Sequence, residues 1–167
     1  MSKASETVAY GGNADGSTAT ANEDYYFVNW TDAKGEVVST EAKYNPTNVT
    51  ADATYTANFK QKVEITVTAK DLSKTYDGTA IQADDDAVQV TDLPEGYTYE
   101  VTTNVSADVI NVDATGQHLI DSVKVLDSEG NDVTDQFTVK TQAGTLTINK
   151  RNVTLKSACL LYTSRCV

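Results

Sequence analysis

Val63-Glu64-Ile65-Thr66-Val67-Thr68-Ala69, closely followed by Lys74-Thr75-Tyr76-Asp77-Gly78-Thr79, decides the fold of this chain. In the first run, apolar Val63, Ile65, Val67 and Ala69 alternate with polar residues. That period of two puts one row of side chains on a buried face and the other in water, which is the mark of a half-buried strand. In the second run, Asp-Gly is a turn signal. Glycine takes positive φ without a steric cost, and aspartate bonds its own backbone two residues on. Tyr76 beside it is large and amphipathic, suited to rest its ring on a sheet with the hydroxyl wet. Tyr76, Asp77 and Gly78 are therefore read first as a structural turn with an aromatic anchor, and second as a surface-binding site.

Downstream, strands are predicted over 87–91, 97–102, 118–126, 137–141 and 145–149, with turns at 93–96 and 127–132. The last two strands are predicted to form a hairpin about Ala143-Gly144. Val109, Ile110 and Val112 are expected core points in the looser stretch before His118. Upstream, a strand is predicted near 7–10. Tyr25-Tyr26-Phe27-Val28-Asn29-Trp30 then reads as a strand, residues 32–35 as a hairpin turn and 36–39 as its return. Ala53, Tyr55, Ala57 and Phe59 alternate with polar residues and predict a strand over 53–59. Phe27, Trp30, Tyr55 and Phe59 are the expected core of this part; a carbohydrate platform is the second reading of the same rings. No stretch has helical periodicity, so the fold class is all-β, with two small β modules in tandem.

Composition narrows the function classes. Thr and Val are abundant and there are only two prolines, which favours strands. A net charge of −11 argues against nucleic acid or an anionic membrane as partner, since both require basic patches. No run has the length of a membrane helix, and the first residues lack the apolar core of a signal peptide. Cysteine occurs only at positions 159 and 166, which excludes a disulfide framework before them.

Chemistry is sparse. His118 is the single histidine, so any catalytic triad would have to use it, and a packed or solvated strand residue is the simpler reading. Asp84, Asp85 and Asp86 are a conceivable Ca²⁺ cluster but fit a solvated acidic loop better. Residues 127–132 superficially resemble a calcium loop, yet Gly130 is out of place for one. No phosphate-cradling loop or zinc-protease helix occurs. The expectation is no catalytic, cofactor or metal site.

Two resemblances add to this reading. Tyr26-Phe27-Val28-Asn29-Trp30-Thr31-Asp32, then Gly35, Val38 and Ser39, then residues 53–59, resemble the small Listeria–Bacteroides-type repeats of bacterial surface proteins; Asn29 stands where such repeats often carry Gly. Ile65-Thr66-Val67, Lys74-Thr75-Tyr76-Asp77-Gly78-Thr79, Leu93-Pro94-Glu95-Gly96-Tyr97, Gly130-Asn131-Asp132-Val133-Thr134 and Gly144-Thr145-Leu146-Thr147-Ile148 resemble the tyrosine–aspartate–glycine (YDG/MBG, mucin-binding-type) repeats of bacterial adhesins. The resemblances imply a first unit over 1–60 and a second over 61–150, the second an immunoglobulin-like sandwich or, alternatively, a β-grasp-like unit. Val153-Thr154-Leu155 after Lys150 echoes Ile65-Thr66-Val67 after Lys62, which implies the start of a next repeat over 151–158.

Cys159-Leu160-Leu161-Tyr162-Thr163-Ser164 resembles the translation of a transposon end used in preparing sequencing libraries, so 159–167 is expected to be an artefactual tail of a truncated gene. A genuine redox or zinc-binding cysteine pair is the competing reading. What the resemblances imply overall is a non-catalytic extracellular region of a cell-wall-anchored protein. It would act as stalk or spacer and in adhesion to mucin, glycan or host surface protein, with neighbouring tandem repeats as partners. The alternative is an accessory module of a large secreted carbohydrate-active enzyme. Surface repeats of this kind also sometimes carry an isopeptide cross-link, for which Lys74 or Lys124 would be the lysine.

Overall fold

The computed structural model describes residues 4–156; the expected tail at 159–167 lies outside the described residues. Twelve strands follow in order: β1 (Ser17–Thr18), β2 (Tyr25–Thr31), β3 (Val37–Ser39), β4 (Lys43–Tyr44), β5 (Thr56–Gln61), β6 (Val63–Ala69), β7 (Leu72–Thr75), β8 (Val88–Thr91), β9 (Thr98–Val105), β10 (Gly116–Leu126), β11 (Phe137–Gln142) and β12 (Gly144–Asn149). The helical content of the described residues is one 3₁₀ turn, Thr134–Gln136. The molecule is all-β, as the alternating pattern requires. No α-helix is present among these residues for a sheet to grasp.

Strands up to Gln61 pair among themselves, and so do strands from Val63 onward. In the N-terminal part β2 is the centre of a sheet ordered β3-β2-β5, and β1 pairs with β4. The Asp32 turn closes the β2–β3 hairpin: the Asp32 carboxylate accepts the N–H groups of Lys34 (2.8 Å) and Glu36 (2.9 Å). Trp30 is 3% exposed and its indole N–H donates to the carbonyl of Ala42. Phe27 packs edge-on against Phe59 (5.8 Å between centroids), and Tyr44 edge-on against Tyr55 (5.0 Å). Two expectations fail here. No strand forms at 7–10; that segment approaches the rest through an isolated bridge between Gly12 and Val49. β5 begins at Thr56 rather than 53, because Tyr55 turns onto the Tyr44 ring instead of continuing the ladder.

The C-terminal part has two sheets, β7-β12-β10-β9 and β11-β6-β8. Ile65 and Phe137 from one sheet meet Val125 from the other in one buried cluster, which is the packing of a sandwich. A second cluster joins Leu146 and Ile148 of β12 to Ile81 and Val109 of the connecting loops. Val109 is buried and Val112 packs beside it, whereas Ile110, expected in the core, is 36% exposed.

The predicted final hairpin does not exist. β11 and β12 belong to different sheets, β11 beside β6 and β12 beside β7, and both pairings are parallel. The sequence reading also missed β7, which makes Lys74 and Thr75 strand residues ahead of the turn. The chain steps almost directly from one sheet into the other at Lys70-Asp71 and at Ala143, and these two crossings touch. A Cβ on Gly144 would lie 2.4 Å from the carbonyl oxygen of Lys70 and 2.6 Å from that of Ala69, so only glycine lets the backbones pass. Asp71 latches the crossing by accepting the N–H (2.7 Å) and hydroxyl (2.8 Å) of Thr145.

Candidate functional site

The Tyr76-Asp77-Gly78 turn leaves the end of β7 at the point where β12 also ends. The N–H of Tyr76 donates to the carbonyl of Asn149 at 2.8 Å, so turn and exit strand are fastened together. Asp77 is committed internally: its Oδ1 takes the Lys74 ammonium at 2.9 Å, the Thr79 N–H at 2.9 Å and the Thr79 hydroxyl at 2.8 Å. The Lys74 bond first, then the Thr79 donors, hold the Asp77 carboxyl well below the usual carboxylate range. Gly78 has φ +83 with open space around its missing Cβ, so its role is conformational. Gly78→Ala is expected to cost about 1–2 kcal/mol through the left-handed backbone alone, and Gly78→Asn less, read as shifts of the chemical-unfolding midpoint.

Tyr76 is 40% exposed, and with Gly78 and Val112 it borders a shallow hollow whose other wall is Lys150, Arg151 and Val153. The turn therefore faces the segment that follows β12. Lys74 pairs with a carboxylate three residues away in the same turn, so a covalent bond between them would close only a local ring.

In the aromatic cluster of the N-terminal part Trp30 is buried and Phe27, Tyr44, Tyr55 and Phe59 are half-buried. Trp30 offers no free face, which favours the packing reading of these rings over a carbohydrate platform. An open hollow of about 660 Å³ remains between residues 4–10 and the pair Tyr44 and Tyr55. Burial, then the neighbouring Tyr55, raises the Tyr44 hydroxyl above its ordinary value. At the junction of the two parts, β5 runs into β6 across Lys62 alone, whose N–H donates to the carbonyl of Asp24 at 2.8 Å. Burial first, then Tyr97 and Asp135 of the C-terminal part, hold the Tyr26 hydroxyl above its ordinary value, and β2 touches the Thr134–Gln136 turn of that part.

His118 is fully buried. Its Nδ1 lies 2.9 Å from the carbonyl oxygen of Lys70, which makes Nδ1 the protonated nitrogen, and Nε2 accepts a long bond from the N–H of Asp84 at 3.5 Å. Both partners are backbone groups, and the imidazole serves the strand crossing. The acidic run diverges: Asp84 accepts the N–H of Asp86, whereas Asp85 takes the hydroxyl (2.7 Å) and N–H (2.5 Å) of Thr103. Among the described residues no three His, Cys, Asp or Glu side chains are grouped to hold a metal ion.

Five aspartates share this capping chemistry, each carboxyl lying below its ordinary range. The leading cause is the Thr145 N–H for Asp71, Lys74 for Asp77, the Thr103 hydroxyl for Asp85, the Asn131 side chain for Asp127 and the Thr134 hydroxyl for Asp132. A carboxyl depressed on folding stabilises fully above its unfolded value, near 4, and that contribution disappears as pH falls through the folded values. Thermal stability is expected to hold level from neutrality to about pH 5 and to fall below about pH 4, read by a series of melts across pH.

Residues 1–63 match the model of the divergent InlB B-repeat domain family, in line with the Listeria-type repeat expected there. The match ends where β6 begins and does not reach the Tyr76-Asp77-Gly78 turn. No curated protein and no solved structure matches the chain.

Proposed function

We propose that the chain is a non-catalytic repeat region of a bacterial cell-wall-anchored surface protein, acting outside the cell as a stalk. In this reading 1–60 and 61–150 are successive units and 151–158 opens a further one. The observation that carries it is the parallel pairing of β11 with β6 and of β12 with β7, in one register. A chain that enters at Val63 leaves at Asn149, at the far end of the paired strands. At roughly 3.3 Å per residue, the β6–β7 path allows entry and exit to be up to about 40 Å apart. Units joined in this way extend end to end. The family match of the first part to a repeat domain supports the same reading.

The Tyr76-Asp77-Gly78 turn then serves as the seat of the next unit: it borders Lys150, Arg151 and Val153, and Val153 and Leu155 are exposed apolar residues in the β6-like echo. Adhesion to mucin, glycan or host protein would be carried on the exterior. Small-angle scattering tests the stalk: the radius of gyration is expected well above the roughly 15 Å of a compact chain of this length, and a compact value would overturn it.

One observation favours the accessory module of a secreted carbohydrate-active enzyme: the hollow lined by Tyr10, Tyr44 and Tyr55 is the kind of aromatic wall on which sugars stack. Trp30, the single tryptophan, is buried behind this hollow with 6.1 Å between its ring and that of Tyr44, so its emission on titration with soluble polysaccharides reports occupancy of the Tyr44 face. A constant emission would remove this reading.

A further inference from the structure

The two parallel pairings form one continuous seam. Phe137–Gln142 lies beside Val63–Thr68 residue for residue, and after the crossing Leu146–Asn149 lies beside Leu72–Thr75 in the same manner. We propose that this seam is a mechanical clamp, built so that tension along the chain is resisted in shear. Load entering at Val63 pulls β6–β7 toward its own N-terminal end. Load leaving at Asn149 pulls β11–β12 toward its C-terminal end. The two strand pairs are thereby driven past one another along their axes. Every hydrogen bond of the two parallel ladders lies across that motion, so the bonds of both pairs must fail together. In the opposite case, peeling from one end, they fail singly.

Three features reinforce the seam. The backbones pass so closely at Gly144 and Lys70 that no side chain fits between them. Asp71 holds the N–H and hydroxyl of Thr145 across it, and Tyr76 holds the carbonyl of Asn149 at its far end. The inner-facing side chains of β6 and β12, namely Ile65, Val67, Ala69, Leu146 and Ile148, are buried, which keeps water from replacing the bonds on that face. The Lys140–Glu64 ion pair also spans the seam but is exposed and adds little.

The inference rests on the stalk reading for the source of the load, and its test is separate from the scattering measurement. The full chain, with Cys159→Ser and Cys166→Ser, is pulled in single-molecule force spectroscopy between handles at Lys62→Cys and Lys150→Cys. It is then pulled between Lys62→Cys and Ser128→Cys. Ser128 is exposed in the turn that leads to Phe137, at the Val63 end, so the second geometry peels β6 from β11. The unfolding force is expected to be severalfold higher in the first geometry at equal pulling speed. Equal forces would overturn the clamp while leaving an elongated scattering profile, and thus the stalk, intact. Asp71→Ala is expected to lower the first force and leave the second nearly unchanged; an equal loss in both would overturn the role given to the Asp71 latch.

Discussion

Gly144→Ala is expected to destabilise the C-terminal sheets by about 3 kcal/mol, the upper end of ordinary overpacking, although it adds a single methyl group. The added carbon would lie 2.4 Å from the Lys70 carbonyl oxygen and 2.6 Å from that of Ala69. Both obstacles are main-chain atoms of a strand crossing, not the flexible ends of side chains, so relief requires moving a strand. Movement there also pulls Thr145 away from Asp71, which adds to the loss. Urea unfolding followed by circular dichroism reads the effect. Trp30, the single tryptophan, sits in the N-terminal part and supplies an internal control, because its fluorescence transition is expected to stay in place. The exposed neighbour Ala143 offers a second control, Ala143→Ser, expected to change stability by less than about 0.5 kcal/mol. An unmoved dichroism transition in Gly144→Ala would mean the two crossings do not touch as described.

The same glycine marks where reading the sequence succeeded and where it failed. Alternation along residues 63–69 gives β6 to the residue, and the aspartate turns at 32–35 and 127–132 fall where their side-chain chemistry requires. Such features are local, and local patterns are what a sequence displays. Ala143-Gly144 between two strand-like runs reads locally as a hairpin. Nothing within those residues tells that the glycine is required by close approach to Lys70, far away in the chain, and not by a turn. β7 was missed for a related reason: as an edge strand four residues long, with only Leu72 apolar at its start, it has no alternation to read. Tyr76, Asp77 and Gly78 were visible as a turn, but their attachment to Asn149 was not, since a backbone bond between distant strands leaves no mark in either segment. Asp71, which has the same capping chemistry as the recognised turns, was legible only as an aspartate at a break between strands.

His118→Ala is expected to cost roughly 2–5 kcal/mol, the sum of a cavity and an orphaned carbonyl. The imidazole is fully buried at the place where β6 gives way to β7. When a strand leaves its sheet its ladder bonds stop, and the backbone groups at the break need other partners. The N–H of Lys70 finds the carbonyl of Ala87, and the carbonyl of Lys70 finds Nδ1 of His118. His118 is also the ladder partner of Gly144 across β10 and β12, so histidine, glycine and Lys70 meet at one point. Three replacements separate volume from hydrogen bonding. His118→Leu fills the space and leaves the carbonyl bare, which carries a penalty of about 1–3 kcal/mol. His118→Asn loses volume but retains a donor of similar reach and is expected to be the mildest; His118→Ala loses both and is the worst. Because Gly144 and His118 share Lys70, their substitutions are expected to couple: His118→Asn should cost less in a Gly144→Ala background, where the carbonyl is already displaced, by an amount on the order of 1 kcal/mol. Strict additivity, or a His118→Leu protein as stable as the parent, would show that the imidazole fills space at the crossing without holding it.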